Sequence, residues 1–392
     1  MTIEEINTIC YVGAGTMGCF NSMAAAISGY HVVLYDTDEN TLQQVPQRHR
    51  EMAALLVGGG YCSEKDIAGA LQRVSLTSDL LEATSNADLV SESVFERLEV
   101  KRDIHRKLDM ICPPHTILTT NTSALQVSDI EDVVDRGDRF AALHSHLGSP
   151  LVDIVAGPRT DLAIVDILQR YVLSTKGVPL VLKKEHPGYV LNAMLGPLLR
   201  TALLLTLDGV ASRDQVDSAW MSHRNDTTGP FGKMDLFGLN LILDSWLYGK
   251  GDLYRQSLRP RILELLQPYV DRGDLGIKSG RGFYSYPNPV YQQPGFLEVD
   301  SDLTAVQQAL DTALVGNAVL LAAMEVADTT DIDRAWMVGT SVDIGPFGIL
   351  AEMGRPAFLQ LLAAETEAGR FSSPNARMVE AYLQRPVGKV TV

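Results

Sequence analysis

Short apolar runs alternate with helical spacing through the first half of the chain, and helical spacing alone follows. Ile9-Cys10-Tyr11-Val12 and His31-Val32-Val33-Leu34-Tyr35 read as strands, with the small, helix-compatible run Ala24-Ala25-Ala26-Ile27 between them. Further strand candidates are Asp88-Leu89-Val90, Thr116-Ile117-Leu118, 140–143, 151–155 and 178–182, and helical patterns cover 97–110 and 161–175. Strand and helix in alternation to about residue 185 predict an α/β domain with a mostly parallel sheet. After Pro187-Gly188 the pattern becomes helical. Pro287-Asn288-Pro289 and Pro294-Gly295 break it and mark a linker.

The helical half repeats itself. Asp217-Ser218-Ala219-Trp220-Met221 recurs as Asp333-Arg334-Ala335-Trp336-Met337, and Gly229-Pro230-Phe231-Gly232 as Gly345-Pro346-Phe347-Gly348. Both offsets are 116 (336 − 220 and 346 − 230), and Ala202, Leu204 and Ala211 meet Ala318, Leu320 and Ala327 at the same interval. One register kept over such a span predicts a duplicated helical unit, the second copy packing on the first. The expected organisation is an α/β domain over 1–185, an all-α domain over 186–286, and a second, repeat-related helical unit over 296–392.

Turn chemistry gives the α/β half a ligand. Gly13-Ala14-Gly15-Thr16-Met17-Gly18 follows the first strand and opens the first helix, and the second strand ends at Asp36. Strand, glycine-rich turn, helix, strand and acid in that order make a Rossmann dinucleotide fingerprint. Gly13 permits the tight turn, Gly15 the approach of a pyrophosphate, and Gly18 close helix packing, while the first helical turn, with Thr16 and Met17, presents N–H groups to phosphate. A carboxylate at Asp36 accepts from ribose hydroxyls and repels a 2′-phosphate, which selects NAD over NADP.

Charge narrows the partners. With 33 basic and 48 acidic residues the net charge is −15 and the pI about 5.0, which disfavours nucleic acid and anionic membranes. Apolar runs such as 202–205 are too short to span a bilayer. Cys10, Cys19, Cys62 and Cys112 show no metal-ligand spacing and fit a reduced, cytoplasmic protein, and no metal is expected.

Reactive side chains lie downstream of the cofactor turn. Ser123 follows a strand at the rim where a doubly wound sheet binds ligands. His144 follows the strand 140–143, and Asp153 falls among apolar neighbours, where a carboxylate needs a partner. A histidine held by a carboxylate is a natural general base.

These segments together resemble the L-3-hydroxyacyl-CoA dehydrogenase family. The resemblance rests on Gly13–Gly18, Glu92-Ser93-Val94-Phe95-Glu96, Asn121-Thr122-Ser123-Ala124-Leu125 and Asp138-Arg139-Phe140-Ala141-Ala142-Leu143-His144. It continues through Pro187-Gly188-Tyr189-Val190-Leu191-Asn192, Gly229-Pro230-Phe231 and Gly276-Ile277-Lys278-Ser279-Gly280-Arg281-Gly282-Phe283-Tyr284. It implies NAD-dependent oxidation of a 3-hydroxyacyl thioester, with His144 taking the hydroxyl proton and Ser123 bonding the reacting oxygen. By the same resemblance Asn192 orients substrate, Asp153 stands where the family has the glutamate that holds the histidine, and Glu96, Lys101 and Lys278 lie near the cofactor. An unperturbed histidine titrates near ~6.5, so the oxidative rate is expected to rise through that region. The helical domain of the family commonly mediates a dimer. Here the copy around Trp336 is a candidate for the partner's place, which leaves monomer and homodimer both open.

The chain departs from the family pattern in three places. After His144 it reads Ser145-His146-Leu147-Gly148-Ser149-Pro150 where the family has an apolar Phe-Phe-Asn-Pro segment, and His146 is expected to be a loop residue. Asp153 is one methylene shorter than glutamate and lies only 153 − 144 = 9 residues on. The stretch 51–61, where the family grips coenzyme A with lysines, has none. Two alternatives therefore stand beside an acyl-CoA substrate: a dehydrogenase of free or carrier-bound hydroxy acids, and a cofactor-binding protein with little turnover.

Overall fold

A computed structural model describes residues 2–249, 251–298 and 302–385. The chain divides into two compact units, one of residues 2–189 with Val338–Thr340, the other of Val190–Met337 and 341–385.

The first unit is built on eight strands: β1 (Thr8–Val12), β2 (His31–Tyr35), β3 (Val74–Thr77), β4 (Leu89–Glu92), β5 (Ile117–Thr120), β6 (Phe140–Ser145), β7 (Leu151–Ala156) and β8 (Val178–Leu182). They form one sheet in the order β3-β2-β1-β4-β5-β6-β7-β8, parallel throughout except for the β6–β7 pair. Its helices are α1 (Thr16–Ile27), α2 (Glu39–Gly58), α3 (Glu64–Leu71), α4 (Leu80–Thr84), α5 (Leu98–Ile111) and α6 (Leu162–Ser174). The central strands β1, β4 and β5 are almost wholly buried, as strands covered on both faces must be. Two expectations change in detail. Val74–Thr77, short and half-polar, is an edge strand that apolar patterning passes over. β6 runs on to Ser145, so His144 lies within the strand rather than after it.

The described residues of the second unit form helices and turns apart from isolated bridges among Gly276, Arg281 and Ser285, the α-helices being α7 (Leu191–Leu207), α8 (Arg213–Arg224), α9 (Pro230–Phe237), α10 (Leu239–Tyr248), α11 (Leu253–Asp271), α12 (Thr304–Ala323), α13 (Thr329–Thr340), α14 (Pro346–Met353), α15 (Arg355–Glu367) and α16 (Ser373–Leu383). The interval of 116 recurs in its geometry. α8 and α13 start and stop 116 residues apart, as do α9 and α14. Positive φ angles fall at Gly209 and Glu325, at Asn225 and Ser341, and at Gly238 and Gly354, each pair at that spacing. Asp217 accepts from the N–H groups of Phe231 (2.8 Å) and Gly232 (3.0 Å), and Asp333 accepts from Phe347 (2.7 Å). A carboxylate thus holds the start of α9 and of α14 in the same way. The copies meet along α7 and α12, and Trp220 and Trp336 pack edge to face with centroids 6.3 Å apart.

They also differ in a telling way. Asp235 takes the N–H groups of Phe283 and Tyr284 at 2.8 Å each and the Tyr286 hydroxyl at 3.0 Å, anchoring the glycine-rich 276–286 segment. Its counterpart is Ala351 (235 + 116), which has nothing to anchor with. Among the described residues one helix, α12, is long and apolar enough to cross a membrane, and 72% of its apolar window is buried.

Candidate active site

β1, β4, β5 and β6 run parallel, so their C-terminal ends share one edge of the sheet. The glycine-rich turn leaves β1 at that edge. Gly13 has φ +105°, and a β-carbon there would lie 2.7 Å from the Ser93 carbonyl oxygen. One on Gly18 would lie 1.8 Å from the carbonyl oxygen of Gly13. Gly15, which caps α1, has open space at the same position. Packing thus requires two of the glycines, and the third leaves room at a helix N-terminus whose first N–H groups, with Thr16, Met17 and Gly18, lack helical acceptors. The Ala14 peptide is pinned from both sides: Asp36 Oδ2 accepts its N–H at 2.8 Å, and Arg48 Nη1 donates to its carbonyl at 2.7 Å. The turn fits a dinucleotide pyrophosphate, with Asp36 at the end of β2 beside it.

Below the same edge lies a buried charge network. Glu92, at the end of β4, accepts from Lys101 Nζ (2.7 Å), Val94 N (2.7 Å) and Thr120 Oγ1 (2.8 Å), and pairs with His105 Nε2 at 3.1 Å. Both Glu92 and Lys101 are fully buried. Burial pushes the Glu92 carboxyl up, but Lys101 and His105 outweigh it and hold the group at about 2. Lys101 also lies 3.3 Å from Glu96. Glu96 in turn takes the Thr122 hydroxyl and the N–H groups of Ser123 (3.0 Å) and Ala124 (2.9 Å), so it moulds the loop after β5. Ser123 itself is half-buried, held to Glu96 through its backbone N–H. Asn121 Oδ1 accepts from Ser145 N at 2.8 Å, tying the loop to the end of β6.

His144 and Asp153 are direct cross-strand partners in the antiparallel β6–β7 pair. Facing residues in such a pair have β-carbons about 4.5–5.5 Å apart, a gap that the shorter acid can close. His144 Nδ1 lies 2.9 Å from Asp153 Oδ2, with the acid fully buried. The nine-residue interval and the missing methylene therefore compensate each other. A carboxylate only accepts, so Nδ1 carries the proton and Nε2 keeps a lone pair. Burial pushes the His144 imidazole below the ordinary histidine range, against the pull of the Asp153 hydrogen bond, and His146 adds to the lowering. Burial would raise Asp153, yet its bonds to His144 and His146 hold it low. The Tyr189 ring lies 5.1 Å from the His144 ring.

The remaining expected residues belong to the helical unit. Asn192 is in the first turn of α7, three residues after Tyr189 (192 − 189), and is half-buried. Lys278 donates to Asn240 Oδ1 at 2.7 Å. Arg48, Glu92, His105 and the bond made by His146 join the site without having been assigned these parts from sequence. The last is not an idle loop residue: its Nε2 lies 2.9 Å from Asp153 Oδ2. Donor atoms of His144, His146 and Asp153 lie within 4.8 Å of one another, a clustering that these two hydrogen bonds account for. A signal for the network existed, since Lys101 and His105 fall four apart on one helix face and Glu92 ends an apolar strand.

A fold with a nucleotide turn at the head of α1 and a carboxylate-held imidazole on the same sheet edge defines a class, the NAD-dependent oxidoreductases. Family models narrow it: "3-hydroxyacyl-CoA dehydrogenase, NAD binding domain" matches residues 8–186, and "3-hydroxyacyl-CoA dehydrogenase, C-terminal domain" matches 188–286. The chain belongs to the 3-hydroxyacyl-CoA dehydrogenase family, and NAD is its cofactor. It is 32% identical over 286 residues to a probable 3-hydroxybutyryl-CoA dehydrogenase of Bacillus subtilis, covering 72% of this chain and 98% of that one. It is 30% identical over 298 residues to human mitochondrial hydroxyacyl-coenzyme A dehydrogenase, covering 72% and 91%. Among solved structures, a diketoreductase is 32% identical with a TM-score of 0.65, covering 72% of this chain and 99% of that one. A 3-hydroxybutyryl-CoA dehydrogenase from Escherichia coli shares the fold over 97% of this chain and 98% of its own, with 22% identity and a TM-score of 0.77.

Proposed function

We propose that the chain oxidises a 3-hydroxyacyl-CoA to the 3-ketoacyl-CoA, with His144 as the general base. The observation that carries this reading is the 2.9 Å bond from His144 Nδ1 to a fully buried carboxylate at the edge where the glycine-rich turn emerges. His144 Nε2 takes the proton of the 3-hydroxyl. Ser123 donates to that oxygen, and the Glu96-held loop fixes where its hydroxyl stands. Asp153 keeps the imidazole in the productive tautomer and stabilises the imidazolium that forms. Asn192 orients the acyl portion. Gly13, Gly15, Thr16, Met17, Gly18 and Asp36 hold the cofactor, with Glu96, Lys101 and Lys278 in support. Bound NAD supplies the acceptor for the hydride that leaves the carbinol carbon. We also infer a cofactor domain over 1–185, a helical domain over 186–286 and a repeat-related helical unit over 296–392; residues 299–301 and 386–392 of the last lie outside the described residues.

A second reading has an observation of its own. α2 carries no lysine, Arg48 is turned onto the glycine-rich turn, and Arg50 bonds Gln47. That leaves α2 without a lysine for CoA phosphates, with the exposed Lys65 of α3 the next lysine along the chain, and supports a free or carrier-bound hydroxy acid, in keeping with the likeness to a diketoreductase. A substrate panel followed by reduced-nicotinamide absorbance decides between them. Turnover of 3-hydroxybutyryl-CoA well above that of free 3-hydroxybutyrate and of the acyl-carrier-protein ester is the expected result. Turnover confined to the uncoupled or carrier-bound acids would replace the first reading with the second.

A further inference from the structure

His146 stands two residues beyond His144, past the end of β6, and its ring turns back over the same carboxylate. Its Nε2 lies 2.9 Å from Asp153 Oδ2, the oxygen that His144 Nδ1 also meets at 2.9 Å. The two imidazoles pack edge to face with centroids 4.5 Å apart. Asp153 Oδ1 is buried without a hydrogen-bond partner among the described residues. The carboxylate is therefore held through one oxygen, by two histidines.

That arrangement has a mechanical and an electrostatic consequence. With one donor, a short aspartate side chain turns about its χ angles until some other donor meets its bare oxygen, and the imidazole it orients turns with it. The second donor removes that freedom. Each donor to Oδ2 also draws off charge that would otherwise favour a protonated His144. We propose that His146 is a positioning residue for the reaction: it donates Nε2–H to Asp153, fixes the rotation of that carboxylate, and limits how strongly the carboxylate raises the basicity of His144. This rests on His144 being the base, as set out above. The charged and titratable groups facing His144 are Asp153 from β7, His146 from the β6–β7 loop, Glu96 from the segment before α5, and the neutral Tyr189 phenol. Of these, His146 alone adds a donor to the carboxylate without adding negative charge.

The test is a histidine-ring NMR titration of the full chain, with the His144 signal assigned through His144→Gln. It is paired with kcat and KM for 3-hydroxybutyryl-CoA. His146→Phe is expected to raise the His144 midpoint by at least ~0.5 pH unit and to lower kcat about tenfold at nearly constant KM. His146→Gln keeps an N–H donor and is expected to hold the midpoint near that of the parent and recover most of kcat. An unmoved midpoint in His146→Phe would overturn the proposal. So would a His146→Gln midpoint displaced as far as that of His146→Phe, since the ring would then merely fill space. The titration needs no substrate, so inactivity of the parent toward 3-hydroxybutyryl-CoA would count against the substrate reading and leave the proposal to be judged by the midpoints.

Discussion

A lone histidine on a strand has many ordinary fates, and what singles out His144 is the company that the fold supplies. Its spacing from Ser123 and the carboxylate nine residues on were both legible in the chain. Their contact was not, because it depends on β6 and β7 pairing in antiparallel register with a short connection, which no local pattern dictates. Burial lowers the imidazole below its ordinary value, with the Asp153 bond only partly restoring it. With His144 as the proposed base, oxidation needs the neutral ring, the neutral fraction grows as pH rises through the lowered value, and the acid limb of the oxidative rate is expected below the ~6.5 of a free histidine. His146 illustrates the same limit: loop position was readable, but a ring folded back onto Asp153 was not.

At the level of elements, the glycine-rich turn was readable almost completely, because each glycine answers a steric demand that recurs wherever a strand feeds a nucleotide-binding helix. The network under it was not, since Lys101 and His105 look like the solvated face of α5 until β4 and β5 are set beside them. That network stabilises the elements that carry the site. Glu92 has its carboxyl held down at about 2, so the stability it contributes is present above the unfolded value of ~4.3 and is lost as pH falls from there toward 2. Lys101→Met leaves a buried carboxylate short of its main partner and is expected to cost about 3–5 kcal/mol. Urea unfolding at neutral and acidic pH checks this. The variant should lose most at neutral pH and approach the parent toward pH ~3, where an unpaired Glu92 becomes protonated. A loss equal at both values would contradict the electrostatic account.

For the molecule as a whole, the duplication was the clearest long-range message in the chain. Trp220 and Trp336 announced it, and the common positions of helix ends and positive-φ residues carry it through the helical unit. What local pattern does not reveal is that Asp235 anchors the glycine-rich segment of the first copy, a part its counterpart Ala351 has no carboxylate to play. Because α12 covers α7, a chain ending at Glu298 exposes an apolar helix face that the full chain buries. That truncated form is expected to sediment as a dimer whose subunits cover each other's α7. A truncated chain that stays monomeric and as stable as the parent would show that the second copy covers nothing of consequence. The proposed role of His144 is tested most directly by the pH profile of kcat/KM for reduced-nicotinamide formation from 3-hydroxybutyryl-CoA, with kcat alongside, in the parent and in His144→Gln. The parent is expected to show an acid limb below ~6.5, and His144→Gln to lose roughly 10³-fold in kcat with cofactor affinity within a few-fold of the parent. A His144→Gln variant that keeps near-parental kcat would contradict the account at its centre.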